Sequence, residues 1–255
     1  MNTLTSADGT TIAYDRAGAG PAIVFVAGAF NDRATLAPLA AELAGDFTVV
    51  TYDRRARGDS GNTKPWSIDR EAEDLDALIA EVGGSAFAFG FSSGAILAMH
   101  AAARGSAIGR LVAYEPPFPV EGHGNATDLP DRLGALVDAG RPGDAVELFQ
   151  TEAIGLPAEV VAQIRKAPMF AALEAMAQSV VYDSAITTGS TPPATLSTPT
   201  LVIHGAETWE PLARAAVVAA ETLPKGRQLE VPGGKNHTIE PAVTAPATAD
   251  FFREG

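Results

Sequence analysis

The sequence predicts an α/β protein: a mostly parallel sheet flanked by helices, with an inserted helical cap. Two observations carry this. Short apolar runs rich in β-branched residues alternate with longer alanine-rich segments of helical character, the pattern of parallel strands joined by crossover helices. One gap in that rhythm is too long for a single crossover and contains helical stretches of its own.

In chain order, the expected strands are Ala22–Ala27, Phe47–Tyr52, Ala86–Gly90, Arg110–Tyr114, Thr200–His204 and Gln228–Val231. The expected helices are Thr35–Leu43, Ile68–Val82, Ser93–Ala103, Pro211–Leu223 and Pro241–Phe252. The long gap is bounded by Pro116-Pro117 and by Thr191-Pro192-Pro193, poor places for regular structure, and holds helical stretches at Ala145–Ala153, Ala158–Ala167 and Met169–Val180. These boundaries divide the chain into a core, 1–115 and 199–255, and a cap, 116–198.

At 255 residues with 46% hydrophobic content, one domain can bury a sizeable core. The formal net charge of −13 comes from scattered acidic residues, and no Lys/Arg-rich stretch offers a surface for phosphates. This argues against a nucleic-acid partner and for a neutral or weakly polar small-molecule substrate. The chain has no cysteine, which excludes disulfides, thiol nucleophiles and thiolate metal sites. The first residues do not read as a signal peptide, and no apolar run approaches the length of a bilayer. The expectation is a cytoplasmic protein, monomer or homodimer, without membrane association, metal or organic cofactor.

The segment from Ala86 to Ala98 is an apolar strand, a sharp turn and an alanine-rich helix, and its centre reads Gly90-Phe91-Ser92-Ser93-Gly94. A serine at such a turn is forced into a strained backbone conformation, and a side chain at Gly90 or Gly94 would collide with the turn or the neighbouring strand. Ser92 is then lifted above the sheet edge as a candidate nucleophile. Ser93 opens the helix, so its backbone N–H faces any negative charge that develops beside Ser92.

The turn and its surroundings resemble the α/β-hydrolase family, in that family's order. Ala22–Ala29 resembles the oxyanion strand and loop, Tyr52–Gly61 the loop of the following strand, and Gly90–Gly94 the nucleophile turn. Pro199–Gly205 resembles the acid-bearing strand and Pro232–His237 the histidine loop. The resemblance implies Ser92 as nucleophile, His237 as general base and the backbone N–H groups of Ala29 and Ser93 as the oxyanion hole. Of the other histidines, His100 is expected to pack within its helix, His204 to make structural hydrogen bonds, and His123 to line the pocket or face water. Arg54, Arg55, Arg57 and Asp59 are expected to tie strand to helix as paired surface charges.

The acid is open. The family's usual position, three residues after Gly205, is Thr208, which cannot carry a charge. Glu115, at the end of the strand after the Ser92 helix, and Glu207, one residue short of the usual site, are the substitutes. Glu115 is preferred because a strand end fixes a side chain better than a loop. Phe30, Phe91 and Trp209, with Met169 and Phe170, are candidate apolar lining of a substrate pocket, or else ordinary core.

The resemblance implies a hydrolase of the esterase or lactonase type (EC 3.1), acting on a small, largely neutral ester, thioester or lactone. A serine at position 92 argues against dehalogenase and epoxide hydrolase chemistry. A non-catalytic ligand-binding protein and a biosynthetic cyclase on the same fold remain the alternatives.

Overall fold

The computed structural model describes residues 1–254. An eight-stranded sheet runs in the order β1-β2-β4-β3-β5-β6-β7-β8. Its strands are β1 (Asn2–Thr5), β2 (Thr11–Ala17), β3 (Ala22–Val26), β4 (Thr48–Tyr52), β5 (Ala86–Phe91), β6 (Ile108–Tyr114), β7 (Thr200–Gly205) and β8 (Gly226–Val231). From β4 to β8 all pairings are parallel, whereas β1 with β2 and β2 with β4 pair antiparallel. The six parallel strands are those expected. The β1–β2 hairpin was not expected: Asn2–Thr5 is mostly exposed and Thr11–Ala17 buries only Ile12, Ala13 and Tyr14, so the apolar signal of an edge hairpin is weak.

Helices cover both faces. On one side lie α2 (Ile68–Glu81), α3 (Ser93–Ala103) and α9 (Glu210–Thr222), whose apolar residues share a cluster with Val24, Val26, Ala88 and Val202. On the other lie α1 (Ala37–Leu43) and α10 (Pro241–Arg253), packed on Ile23, Phe25, Phe89 and Val112. Alternate residues of β3 thus enter opposite layers, as the two-residue strand period requires. Helix α3 is apolar all round and buries nine of its residues, so it is a core element.

Between β6 and β7 the chain forms α4 (Leu129–Asp138), α5 (Pro142–Leu148), a π-helical turn (Phe149–Ala153), α6 (Ala158–Lys166), α7 (Phe170–Ala175) and α8 (Ala177–Thr187). Helix α4 is an addition to the expected helices, and the stretch Met169–Val180 divides into α7 and α8 at Met176. This insertion has its own apolar cluster, built on Leu129, Leu133, Val146, Phe149, Phe170 and Val180, with Ala29 and Phe30 of the core packed against it.

The loop after β4 departs from the sequence reading in one respect. Its arginines do tie strand to helix, but they are not surface charges: Arg54 and Arg55 are 0% exposed. Arg54 forks onto Glu71 of α2 (Nε–Oε2 2.7 Å) and Arg55 onto Asp74 of α2 (Nε–Oδ2 2.6 Å). Arg55 also reaches Asp8 of the β1–β2 turn at 2.5 Å. A charge without a partner in such surroundings costs several kcal/mol, so these cations require their carboxylates.

The hydrogen bond from Arg55 holds the Asp8 carboxyl well below the usual carboxylate range. A lowered folded value makes this stabilisation complete above the unfolded value of about 4, and lost as pH falls through the folded value. Asp8→Asn is therefore expected to lower stability at neutral pH by about 1.5–3 kcal/mol. It should also lose less than the parent protein on acidification; urea denaturation at about pH 7 and about pH 3 measures both effects.

Candidate active site

Strand β5 delivers Ser92 at the point where the chain reverses into α3. Ser92 has φ 56° and ψ −128°, a conformation that a non-glycine residue holds at a cost of order 1–3 kcal/mol and only where the surroundings fix it. They do so on both sides. The Ser92 N–H donates to Tyr114 O of β6 (2.9 Å), and the Ser92 carbonyl accepts from Ala95 N (2.9 Å). Glycine is required nearby because the backbones meet. A Cβ on Gly94 would lie 2.6 Å from Ala27 O, and one on Gly28 would lie 2.7 Å from Ser92 Cβ. The turn and the loop after β3 are thus in direct contact.

His237 lies in the loop between β8 and α10. Its φ of 63°, preceded by Asn236 at 52°, turns the imidazole back over the strand ends. The Tyr114 hydroxyl donates to Thr238 O (3.0 Å) and anchors the loop from below. Burial, with the charges of Glu115 and Glu240, pushes the Tyr114 phenol up, so it stays neutral and keeps its donor proton. His237 Nε2 stands 2.9 Å from Ser92 Oγ.

The other ring nitrogen meets Glu115. His237 Nδ1 is 2.5 Å from Glu115 Oε2, and Glu115 Oε1 accepts from Gly205 N (2.9 Å). Glu115 is 0% exposed and follows β6 with φ 47°, its own N–H bonded to Ile203 O of β7 (2.8 Å). A buried carboxylate that accepts from both a backbone N–H and an imidazole has its oxygens satisfied and holds the ring in one orientation. Ser92, His237 and Glu115 therefore form one continuous hydrogen-bonded chain.

Glu207 is exposed; among the described residues its hydrogen bonds to the histidine loop come from its backbone, which donates to Gly233 O (3.0 Å) and accepts from Asn236 N (3.3 Å). Thr208 N bonds back to Gly205 O, and the Thr208 hydroxyl is buried without a partner among the described residues.

Ala29 and Ser93 flank Ser92 from the β3 loop and from the first residue of α3. Among the described residues neither backbone N–H is paired with a protein acceptor. The aromatic candidates separate. The Phe91 ring lies 4.8 Å and the Trp209 ring 5.8 Å from the His237 ring, Trp209 in stacked geometry. Phe30 instead packs edge-on to Phe149 of the insertion (5.4 Å). Phe170 belongs to the insertion's own core, and Met169 is 60% exposed, so neither lines the site. A cavity of about 260 Å³ opens beside His237, lined by Asn31, Thr35, Leu36, Pro38, Leu39, Phe91, Thr238, Ile239 and Pro241. Its lining mixes apolar side chains with the polar Asn31, Thr35 and Thr238, and it contains no carboxylate, lysine or arginine. Nothing local in the sequence marks Asn31, Thr35, Leu36, Pro38 and Leu39 as facing a cavity, since residues 31–35 are a largely polar run ahead of a helix.

The remaining histidines serve structure or surface. His204 is buried and bonded to Gln228 (2.9 Å), as expected. His123 is exposed in a loop. His100 is not packed in the core but sits at the surface, 2.8 Å from Asp69.

The model of the alpha/beta hydrolase family matches residues 23–247, and the chain belongs to that family. The crystal structure of an alpha/beta hydrolase from Sphaerobacter thermophilus superposes with a TM-score of 0.89 at 44% identity, over 98% of this chain and 100% of that one. The enol-lactonase from Burkholderia xenovorans (TM-score 0.71, 23% identity, 99% of this chain and 100% of that one) and a thermophilic esterase from Thermogutta terrifontis (0.73, 23%, 99% and 96%) share the fold. An uncharacterized hydrolase of Bacillus subtilis, YraK, is 31% identical over 122 residues, which is 46% of this chain. The match spans 45% of that relative's length, under half of it.

The close approach at the turn gives a stability prediction. Gly94→Ala should place its methyl group against the carbonyls of Val26, the last residue of β3, and of Ala27 just after it, both buried and unable to retreat. The expected result is loss of soluble protein, or a melting temperature lowered by at least several degrees, read by expression and thermal unfolding.

Proposed function

We propose that the protein is a serine hydrolase that cleaves a small, largely neutral ester, thioester or lactone through an acyl-enzyme on Ser92. The observation that carries this reading is the unbroken chain Ser92 Oγ–His237 Nε2 (2.9 Å) and His237 Nδ1–Glu115 Oε2 (2.5 Å) on a strained turn. Its chemistry follows from its parts. His237 takes the hydroxyl proton through Nε2 as Ser92 Oγ attacks the substrate carbonyl carbon. The carbonyl π electrons move to oxygen, and that oxyanion accepts hydrogen bonds from the Ala29 and Ser93 N–H groups. Imidazolium forms at this point, and the Glu115 carboxylate stabilises it without taking its proton.

Collapse of the tetrahedral species breaks the bond to the leaving oxygen or sulfur, which receives the proton from His237. A water then repeats the sequence: His237 takes its proton, the hydroxide adds to the acyl carbon, and Ser92 departs as the alcohol with that proton returned. Glu115 is the acid of this triad, in place of the Thr208 position, because its carboxylate is the one bonded to His237.

The substrate class rests on the cavity and the charge. A space of about 260 Å³ beside His237, bounded by Leu36, Leu39, Phe91 and Ile239 together with Asn31, Thr35 and Thr238, suits a small, largely neutral acyl or alcohol group. It presents no cation to a substrate anion, in keeping with the net charge of −13.

A fluorophosphonate probe should label the purified protein on the peptide containing Ser92, and Ser92→Ala should abolish labelling. Glu115→Gln should slow both labelling and hydrolysis of an activated ester by about 10³–10⁴-fold. Glu207→Gln should change either rate less than about twofold, since its side chain meets no member of the chain. Absence of labelling in folded protein would sink the assignment of Ser92; equal effects of the two glutamine variants would sink that of Glu115.

A further inference from the structure

We propose that Asp183 of α8 is the positioning residue that assembles the oxyanion hole, acting through Arg57 on the Ala29 N–H and through Ser93 on its neighbour. This rests on the hydrolase reading above and extends it to a residue in the inserted helices, which supply no member of the hydrogen-bonded chain.

Asp183 is 0% exposed, and it is a charge on the buried face of its helix, three residues from Val180 and from Ile186. Its carboxylate collects three donors. Arg54 Nη1 approaches Oδ1 at 2.8 Å, Arg57 Nη2 approaches Oδ2 at 3.1 Å, and the Ser93 hydroxyl donates to Oδ1 at 2.7 Å. Desolvation acts to raise this carboxyl, but the Arg57 and Arg54 charges and the Ser93 hydroxyl outweigh it and hold it below the ordinary carboxylate range. The group is therefore an anion at neutral pH.

What the arginines hold in turn is the decisive point. Arg57 Nη1 donates to Gly28 O at 2.6 Å, and Arg54 Nη1 to Ala27 O at 3.0 Å. The Gly28 carbonyl and the Ala29 N–H are the two ends of one planar trans peptide, so they point in opposite directions. Fixing the carbonyl on Arg57 fixes the direction of the N–H. A cation on the carbonyl also polarises the peptide and strengthens its donor end. The second donor is built the same way: the Ser92 carbonyl, held by Ala95 N, shares its peptide with the Ser93 N–H, while the Ser93 side chain is tied to Asp183. Apart from Asp183, Arg57 meets only the carbonyls of Gly28 and Asn31, and its Nε has no partner among the described residues. Without the carboxylate this buried cation has no anion to hold it in place.

A staple that merely joined the insertion to the core would not need to reach both the Gly28 carbonyl and the Ser93 side chain, on either side of Ser92. Phe30, one residue past Ala29, has φ 56° and packs on Phe149, so the insertion braces the same loop from its other side. Seating of α8 and formation of the oxyanion hole are on this view a single event.

The test compares Asp183→Asn, Arg57→Lys and Ser93→Ala with the parent protein and with Ser92→Ala. It measures melting temperature, kcat and KM on a neutral activated ester, and inhibition by an arylboronic acid, which forms a tetrahedral adduct with the serine. Asp183→Asn and Arg57→Lys should each lower kcat about 100-fold, the scale set by a misplaced group or a lost oxyanion donor. KM should change less than about threefold, and boronate affinity should fall roughly in parallel with kcat, as for an interaction made only in the transition state. Ser93→Ala keeps its backbone N–H and all the ion pairs, so it should fold if Asp183→Asn does not, with a smaller loss of about tenfold of the same kind. Folded variants with kcat and boronate affinity within about threefold of the parent would overturn the proposal, even with a lowered melting temperature. If the parent shows no hydrolysis dependent on Ser92, the hydrolase reading itself fails and this inference falls with it; if the parent is active and the variants match it, only the role of Asp183 is lost.

Discussion

Helix α3 begins so close to β3 that no side chain fits between them. At Gly94 the helix backbone meets the Val26 and Ala27 carbonyls, and at Gly28 the loop backbone meets Ser92 itself. This contact fixes the turn at φ 56°, turns the first helical N–H groups toward the strand ends and brings the Ala27–Asn31 loop alongside. The rest of the site is arranged around that junction. The cation side chains under the loop, the phenol under the histidine loop and the carboxylate after β6 each hold one backbone segment at a fixed distance from it.

The groups that hold these segments are buried and charged or polar, which is an expensive choice in the interior of a protein. Arg54, Arg57, Asp183 and Glu71 have their charges paired, and Glu115 has each oxygen bonded. Such a network contributes less to net stability than its Coulomb energy suggests, since desolvation offsets most of it. Its effect is on geometry: only one arrangement satisfies all the groups together, and departures leave a charge without a partner.

Much of this could be read along the chain. Six strands, the helix after Ser92, the strained turn and the imidazole loop all depend on local patterns, glycines at fixed offsets and apolar runs of strand length, and these were legible. Edge elements were not, because Asn2–Thr5 and the outer half of Thr11–Ala17 lack an apolar signal. The arginines of the Asp53–Gly61 loop are visible in the sequence as residues but not as buried ones, since nothing local tells a solvated guanidinium from one 0% exposed. Asp183 left one faint trace, an acidic residue in register with Val180 and Ile186 on a helix face.

The sequence by itself determined the layered α/β architecture and the place of Ser92 and His237 within it, because periodicity and turn chemistry are properties of neighbouring residues. It narrowed the carboxylate facing His237 to Glu115 or Glu207 without deciding between them. Tertiary structure decided that Glu115 meets the ring, since that contact joins residues 122 positions apart and depends on how the backbone leaves β6 at φ 47°. It likewise decided that Asp183, Arg54 and Arg57 share one buried site across 126 to 129 positions. Pairings at such separations are set by the packing of whole elements, and no window of sequence contains both partners.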